Sequence, residues 1–430
     1  MSFHKKTIRD IHVDGKQILL RADYNVPLDG EGHITDDYRI RQSLPTLNYL
    51  LDRHCSLVIC SHLGRPEGKP DEKYSLAPVA KRLSKLLDKP VQFAHDCIGP
   101  ETEKQVKDLL PGQILLLENV RFHPEEEAND SAFAKKLAIY GDIFVQDAFG
   151  VVHHPAVSVS ELPKYMPGVA GLLLEKEVDT ITDVMEKPKR PLMAIIGGAK
   201  ISDKIEFLER FIELADFVAI GGAMANTFLL AEGIHTGKSL TEPDDMSLAK
   251  RLLERAKDKA KSGHFTFYLP QDGVAAKKID KATHTRIVDW QAHAIADVEA
   301  YPKRPSREAT TIQADESILD IGPFSGAFIA GGIQLANTVV WNGAMGVTET
   351  PALVGPIGPF AHGTELVIEA MTGQFGHRPY SLVGGGDTVG YIEARGEVKF
   401  FNHVSTGGGA SLELMSGKKL PGVEALEDKR

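Results

Sequence analysis

The stretch LMAIIGGAKISDK, Leu192–Lys204, decides the fold. Its first five residues, Leu192–Ile196, are all apolar; they stop at two glycines, and a helical pattern follows. An unbroken apolar run of this length reads as a strand covered on both faces, as in a parallel sheet; a strand with one wet face would alternate. The same grammar repeats in both directions. Toward the N-terminus it recurs at Ile18–Ala22, Ser56–Cys60, Ile114–Glu118 and Ile143–Gln146. Toward the C-terminus it recurs at Phe217–Ile220, Phe265–Leu269, Ile318–Ile321, Thr338–Trp341 and Ser381–Val383. Amphipathic segments such as Leu76–Leu87 and Leu248–Lys261 lie between these runs. Strand alternating with helix predicts an α/β chain made of two doubly wound parallel-sheet (Rossmann-like) domains. Lys176–Lys187 predicts a helix stopped by the PKRP break at 188–191, and it separates the two sets of strands. We therefore expect a domain at 1–175, a hinge helix and linker at 176–190, and a second domain at 191–405.

Length and composition agree. At about 150 residues per domain, 430 residues allow two or three domains. Apolar residues at 42% and charged ones at 25% describe an ordinary globular protein. The longest apolar stretches, Val169–Leu174 and Leu192–Ile196, fall far short of the ~20 residues of a membrane span, and the N-terminus MSFHKKTIRD lacks a signal-like apolar segment. Cys55, Cys60 and Cys97 form no CxxC pair and cannot all pair with one another, which favours a reducing cytoplasm. With 49 Lys+Arg against 59 Asp+Glu the net charge is −10, which argues against nucleic acid as a partner.

The informative contrast lies at the strand ends, where open α/β sheets bind ligands. In the first half these read RADYNVPL (21–28), SHLGRP (61–66), ENVRFHPEEE (118–127) and DAFGVVHHP (147–155), with Arg39 and Arg41 close behind the first. Asp23, Asn25, Arg39, His62, Arg65 and Arg121 are thus expected to converge on one small anion, for which arginine forks suit carboxylate or phosphate. In the second half the ends read IIGGAKISDK (195–204), IGGAMANTF (220–228), WNGAMG (341–346), VGGGDT (383–388) and HVSTGGGAS (403–411). Glycine lets backbone N–H groups approach phosphate, and a following helix adds its positive end. Lys200 and Lys204, four apart, are expected on one helix face. Asp387 after three glycines suits a Mg²⁺ ligand beside phosphates.

Other signals point away from competing chemistries. GIHTGKS (233–239) has three residues between its glycines where a Walker A loop needs four, and no G-x-G-x-x-G follows any strand. The adjacent His153 and His154 lack metal-ligand spacing. No Ser-His-Asp or Cys-His arrangement is visible, and a carboxylate nucleophile needs no base because it is already ionised at neutral pH. An acceptor-binding half and a magnesium-nucleotide half together describe a kinase.

At these residues the sequence resembles the phosphoglycerate kinases along nearly its whole length. The motifs are RADYNVPL, SHLGRP, LLENVRFHPEEE, GGAKISDKIEFL, WNGAMGVTE, GGGDT and HVSTGGGASLELMSGKKLPGV. The resemblance implies a monomeric, Mg²⁺-dependent cytoplasmic enzyme that moves a phosphoryl group between ATP and 3-phosphoglycerate, with closure of its lobes. It implies that Asp23, Asn25, Arg39, His62, Arg65 and Arg121 bind phosphoglycerate in the first domain. Lys200, Lys204, Asn342, Glu349, Gly385, Gly386, Asp387 and Thr388 would bind the nucleotide, with Asp387 on the metal. Arg39, Lys200, Gly385 and Gly408 would serve catalysis, Gly407 and Gly408 offering helix-start amides to the phosphates. The segment 406–430 would return to the first domain.

Several positions depart from the family pattern. After DAFG the family usually reads His-Arg-Ala-His, whereas this chain has His153-His154-Pro155-Ala156, so His154 stands where an arginine grips the non-transferred phosphate. Phosphoglycerate binding is expected to be weaker and to improve toward acidic pH, since an ordinary histidine is mostly neutral at neutral pH. Ala223, Ala344 and Phe324 replace a usual glycine, proline and lysine, and Pro351–Gly363 is long, which points to relaxed nucleotide preference. Two alternatives stay open at this point: a kinase for a related small phosphorylated acid, and a weakly active homologue serving as a binding or regulatory protein.

Overall fold

The computed structural model describes residues 3–261, 263–290 and 311–429; residues 262 and 291–310 of the expected second domain lie outside the described residues. The chain divides into two compact units, Met1–Asp183 with Thr406–Arg430, and Val184–Ser405. The division falls inside the helix Leu172–Glu186.

The first unit holds six strands: β1 (Gln17–Arg21), β2 (Ser56–Cys60), β3 (Val91–Phe93), β4 (Ile114–Leu116), β5 (Ile143–Gln146) and β6 (Gly168–Ala170). They run in the order β3-β4-β2-β1-β5-β6, and every pair is parallel. Helices Tyr38–Leu51 and Ala77–Leu87 press Ile40, Leu47, Leu50, Val79 and Leu83 onto Ile18, Leu20, Leu57 and Ile59 of the central strands. Burying each such side chain stabilises the fold by about 1.5–3 kcal/mol. Val169–Leu174, a single apolar stretch in the sequence, is divided between β6 and the start of the helix Leu172–Glu186. That helix begins four residues before the expected Lys176 because its first N–H groups find distant acceptors. Thr46 Oγ1 takes Leu172 N–H at 3.0 Å, and Asp147 Oδ1 takes Leu173 and Leu174 N–H at 2.9 and 3.2 Å. Burial pushes the Asp147 carboxyl up to about 7.

The end of the chain is stitched into the same unit. Lys6 N–H donates to Glu427 O at 2.7 Å, and Glu427 N–H donates to Gly168 O at 3.0 Å. Fully buried Glu177 accepts the Thr406 N–H at 2.6 Å and its hydroxyl at 2.8 Å.

The second unit has the six-stranded parallel order β15-β14-β13-β7-β8-β9. Its members are β7 (Leu192–Ile196), β8 (Phe217–Ile220), β9 (Thr266–Tyr268), β13 (Thr338–Asn342), β14 (Tyr380–Gly384) and β15 (His403–Val404). A separate antiparallel sheet, ordered β11-β10-β12, is built from β10 (Asp272–Ala276), β11 (Thr285–Asp289) and β12 (Ser317–Ile321). This corrects the expectation that Ile318–Ile321 joins the parallel sheet: β12 pairs antiparallel with β10, with a bulge between Val274 and Ala275. Only residues 269–271 connect β9 to β10, too few for the dozen or so that a parallel crossover requires. The next strand must therefore leave the parallel sheet. The α/β class is unchanged.

Glu177→Ala would orphan the buried Thr406 N–H at a local cost of about 1–3 kcal/mol. Amide exchange at Thr406 is expected to accelerate roughly 5- to 150-fold. An unchanged exchange rate would show that Glu177 does not hold the segment.

Candidate active site

In the first unit the chain leaves β1 for β2 on one side and returns to β5 on the other. The connections diverge there, leaving a crevice beyond the carboxyl ends of β1 and β5. Asp23 and Asn25 follow β1, His62 and Arg65 follow β2, Arg121 follows β4, and Arg39 lies in the first turn of the helix Tyr38–Leu51. One nitrogen of Arg39, Nη1, sits 3.2 Å from each oxygen of the Asp23 carboxylate and donates to Asn25 O at 3.0 Å. Asn25 Oδ1 accepts the Gly64 N–H at 2.9 Å, which ties the β1 and β2 loops together. Arg121 donates to Gly64 O at 3.0 Å and faces Glu127 at 3.3 Å. Asp23 Oδ2 is buried without a hydrogen bond, and a Cβ on Gly150, after β5, would stand 2.2 Å from it. Burial, with the charges of Arg21, Arg121 and Arg39 added, holds buried His62 well below the usual histidine range, so it is neutral. Arg65 is exposed and makes no ion pair among the described residues. Arg41 is not part of this group: it pairs with Asp37 at 3.1 Å, and Asp37 is also held by Arg82.

His154 is exposed, its ring 3.9 Å from that of His153. His153 is pushed down to about 4 by burial and by the neighbouring His154. Gly407, Gly408 and Gly409 belong to this unit. A Cβ on Gly407 would meet Phe149 at 2.7 Å, and one on Gly409 would meet His153 Nε2 at 2.6 Å.

Sequence reasoning missed Arg21. It closes β1, is fully buried, and donates from Nε to Ser158 Oγ at 2.8 Å, from Nη1 to Ala22 O, and from Nη2 toward His62 Nδ1 at 3.1 Å. Its signal is an arginine that closes a strand directly after three buried apolar residues, Ile18–Leu20.

In the second unit the winding reverses between β7 and β13. The loops beyond these strands touch: Gly197 N–H donates to Asn342 O at 2.9 Å and Gly198 N–H to Ala344 O at 3.1 Å. Gly343 has φ +99°, and a Cβ there would lie 2.3 Å from Gly197 O, so only glycine fits. Lys204 Nζ reaches into the crossing, donating to Gly197 O at 2.6 Å and Asn342 O at 3.1 Å. Its third proton is left for a ligand. Burial, opposed by the charges of Asp203 and Asp387, pushes Lys204 down to about 8.

Lys200 does not share a helix face with Lys204, contrary to expectation. It is exposed in the loop before the helix Ile205–Leu214, because Glu242 accepts Ile201 N–H and Ser202 Oγ–H at 2.6 Å each and postpones the helix. Asn342 Nδ2, Asn342 Oδ1 and Thr388 Oγ1 are buried without hydrogen-bond partners. They flank Gly385, whose Cβ would stand 3.4 Å from Asn342 Oδ1 and 3.5 Å from Thr388 Oγ1. Gly385 precedes the helix Gly386–Ala394, whose first-turn N–H groups lack intrahelical acceptors and whose first turn carries exposed Asp387. Orphaned polar atoms, a partly satisfied lysine, a helix start and a free carboxylate fit a polyanion with a divalent cation. Glu349 is exposed beyond β13, Ala223 precedes the helix Met224–Ala231, and Phe324 is exposed with its N–H on Asp272.

The chain matches the family described as Phosphoglycerate kinase over residues 8–418. It is 45% identical over 427 residues to the phosphoglycerate kinase of Chloroflexus aurantiacus, covering 99% of each chain. It is 44% identical over 425 residues to that of Moorella thermoacetica, covering 99% of this chain and all of the other. Among solved structures, phosphoglycerate kinase from Coxiella burnetii superposes with a TM-score of 0.78 at 34% identity, covering 98% of each chain.

Because Lys204 loses its proton near pH 8, ATP affinity is expected to be highest below that pH and to fall above it by up to tenfold per pH unit. Calorimetry across this range should show the decline in the native protein and a flat, weaker profile in Lys204→Met. An equal decline in both would exclude Lys204 as its source.

Proposed function

This chain belongs to the phosphoglycerate kinase family, and on that premise we propose that it transfers the γ-phosphoryl group of MgATP reversibly to the carboxylate of 3-phosphoglycerate. The observation that carries the proposal is a family match over residues 8–418 in a chain that keeps the cations of one crevice and the glycines, lysines and carboxylate of the other. Asp23, Asn25, Arg39, His62, Arg65 and Arg121 receive phosphoglycerate, with His154 toward its non-transferred phosphate. The cations neutralise the anion while the carboxylate end stays nucleophilic without a base. Lys204, Asn342, Gly385, Gly386 and Thr388 hold the nucleotide phosphates, and Glu349 holds the ribose. Asp387 would hold Mg²⁺, which adds charge neutralisation at those phosphates.

One carboxylate oxygen forms a bond to the γ-phosphorus as the bond to the ADP oxygen breaks, the two oxygens in line. Arg39, exposed Lys200 and the amides at Gly385 and Gly408 stabilise charge on the passing phosphoryl group. Transfer to water is avoided only if the ligands meet in a dry site. We further place the enzyme in the cytoplasm as a monomer. Three free cysteines suit a reducing compartment, and among the described residues no helix is long and apolar enough to cross a membrane.

A coupled assay with ATP, Mg²⁺ and 3-phosphoglycerate tests the reading, and absence of turnover would overturn it. Lys200→Ala is expected to lower kcat by about 10²–10³-fold. His154→Arg should restore a guanidinium fork and lower the KM for phosphoglycerate several-fold. An unchanged KM would show that another group grips that phosphate.

A further inference from the structure

Arg21 is a buried cation with no carboxylate in direct contact among the described residues, and the bonds it makes have only one possible direction. Its guanidinium can only donate, so Ser158 Oγ accepts from Nε at 2.8 Å and His62 Nδ1 accepts from Nη2 at 3.1 Å. Ser158 in turn gives its hydroxyl proton to buried Glu126 at 2.5 Å, and Glu126 also accepts the Ser158 N–H at 3.0 Å. The direction of each bond that Arg21 makes to Ser158 and His62 is thereby fixed. A neutral imidazole that accepts at Nδ1 carries its proton on Nε2. Nε2 has no protein partner among the described residues.

We propose that Arg21 is a positioning residue that locks His62 as the neutral Nε2–H tautomer, making Nε2–H a fixed donor into the crevice. The groups acting on the ring agree. Arg21, Arg39 and Arg121 all oppose a further positive charge on the ring, while Asp23 pairs with Arg39 and Glu126 holds Ser158. His62 then contributes direction without charge. It accepts only an occupant that presents a lone pair, while the surrounding arginines supply the attraction. This rests on the proposed phosphoglycerate site for the identity of the occupant, but the lock itself does not.

Long-range ¹H–¹⁵N correlation spectra of protein labelled at histidine nitrogen test the lock without substrate, with His62 assigned by the signal missing in His62→Gln. One ring nitrogen should be pyridine-like at Nδ1 and the other pyrrole-like at Nε2, unchanged between about pH 5.5 and 8.5. Averaged signals, a proton on Nδ1, or conversion to imidazolium in that range would overturn the proposal. In Arg21→Met the two nitrogen signals should move toward averaging, and kcat/KM for phosphoglycerate should fall about ten- to hundred-fold. Arg21→Lys keeps a donor and should recover much of the tautomer signature; an unaltered His62 spectrum in Arg21→Met would refute the role of Arg21. Adding 3-phosphoglycerate to the native protein should shift Nε2. No shift with the tautomer intact would count against the acceptor assignment and leave the lock standing.

Discussion

A parallel sheet that winds both ways from a central strand cannot cover the space beyond that strand's carboxyl end, because the connections leave in opposite directions. The rest of the molecule's chemistry follows from this constraint. It operates once between β1 and β5 and once between β7 and β13. What the chain places at each gap differs. At the first, side chains from several strand ends turn inward; at the second, two backbone loops come so close that Gly197 and Gly343 touch where no Cβ fits.

On the proposed function, the two gaps use different physics to hold negative charge. An arginine gives up about 2 kcal/mol of rotamer freedom when it is fixed, so arginines ordered before the ligand arrives spare that cost during binding. Asp23 and the Asn25 carbonyl fix Arg39, and the Gly64 carbonyl with Glu127 fixes Arg121. These acids also offset the mutual repulsion of the cations. A backbone amide has no rotamers to lose, so the second gap needs glycine freedom and a helix start, with few charges. Its cost lies elsewhere: buried Asn342 and Thr388 carry polar atoms without protein partners, each of which costs about 1–3 kcal/mol where it is left unmatched. Such exceptions to polar satisfaction are retained where a ligand completes the set.

The sequence was legible where local pattern sufficed. The continuous apolar strands β1, β2, β4, β5, β7 and β8 stand within a residue or two of their expected places, since burial on both faces leaves no other composition open. β3, β6 and β15 have two or three residues, too few to show a period, and β10 (DGVAA) is weak in β-forming side chains. Other features depend on distant partners. The helix at Leu172 begins where it does because of Asp147 and Thr46, and Lys200 stays off the next helix because Glu242 holds Ile201 and Ser202. Charge alone also misleads: Arg41 looks like Arg39 in sequence but pairs with Asp37, while Arg21 hides at the buried end of β1. Loop glycines mark the second gap well, whereas partner choice among arginines is decided by tertiary packing.

The departures from the family pattern can be ranked by the same physics. Ala344 serves through its carbonyl, which accepts Gly198 N–H, and Phe324 through its N–H on Asp272. Ala223 stands at the start of the helix Met224–Ala231. Backbone duties survive a change of side chain, so these positions can vary while the cradle keeps its shape. His154 differs in kind. Its backbone N–H closes a local turn onto Val151 O, which any of several residues would do, while its exposed side chain offers a single ring where the family resemblance implies the permanent charge and five-donor fork of an arginine. A difference between this chain and its relatives in how the acceptor is gripped should therefore trace to this side chain before any of the others.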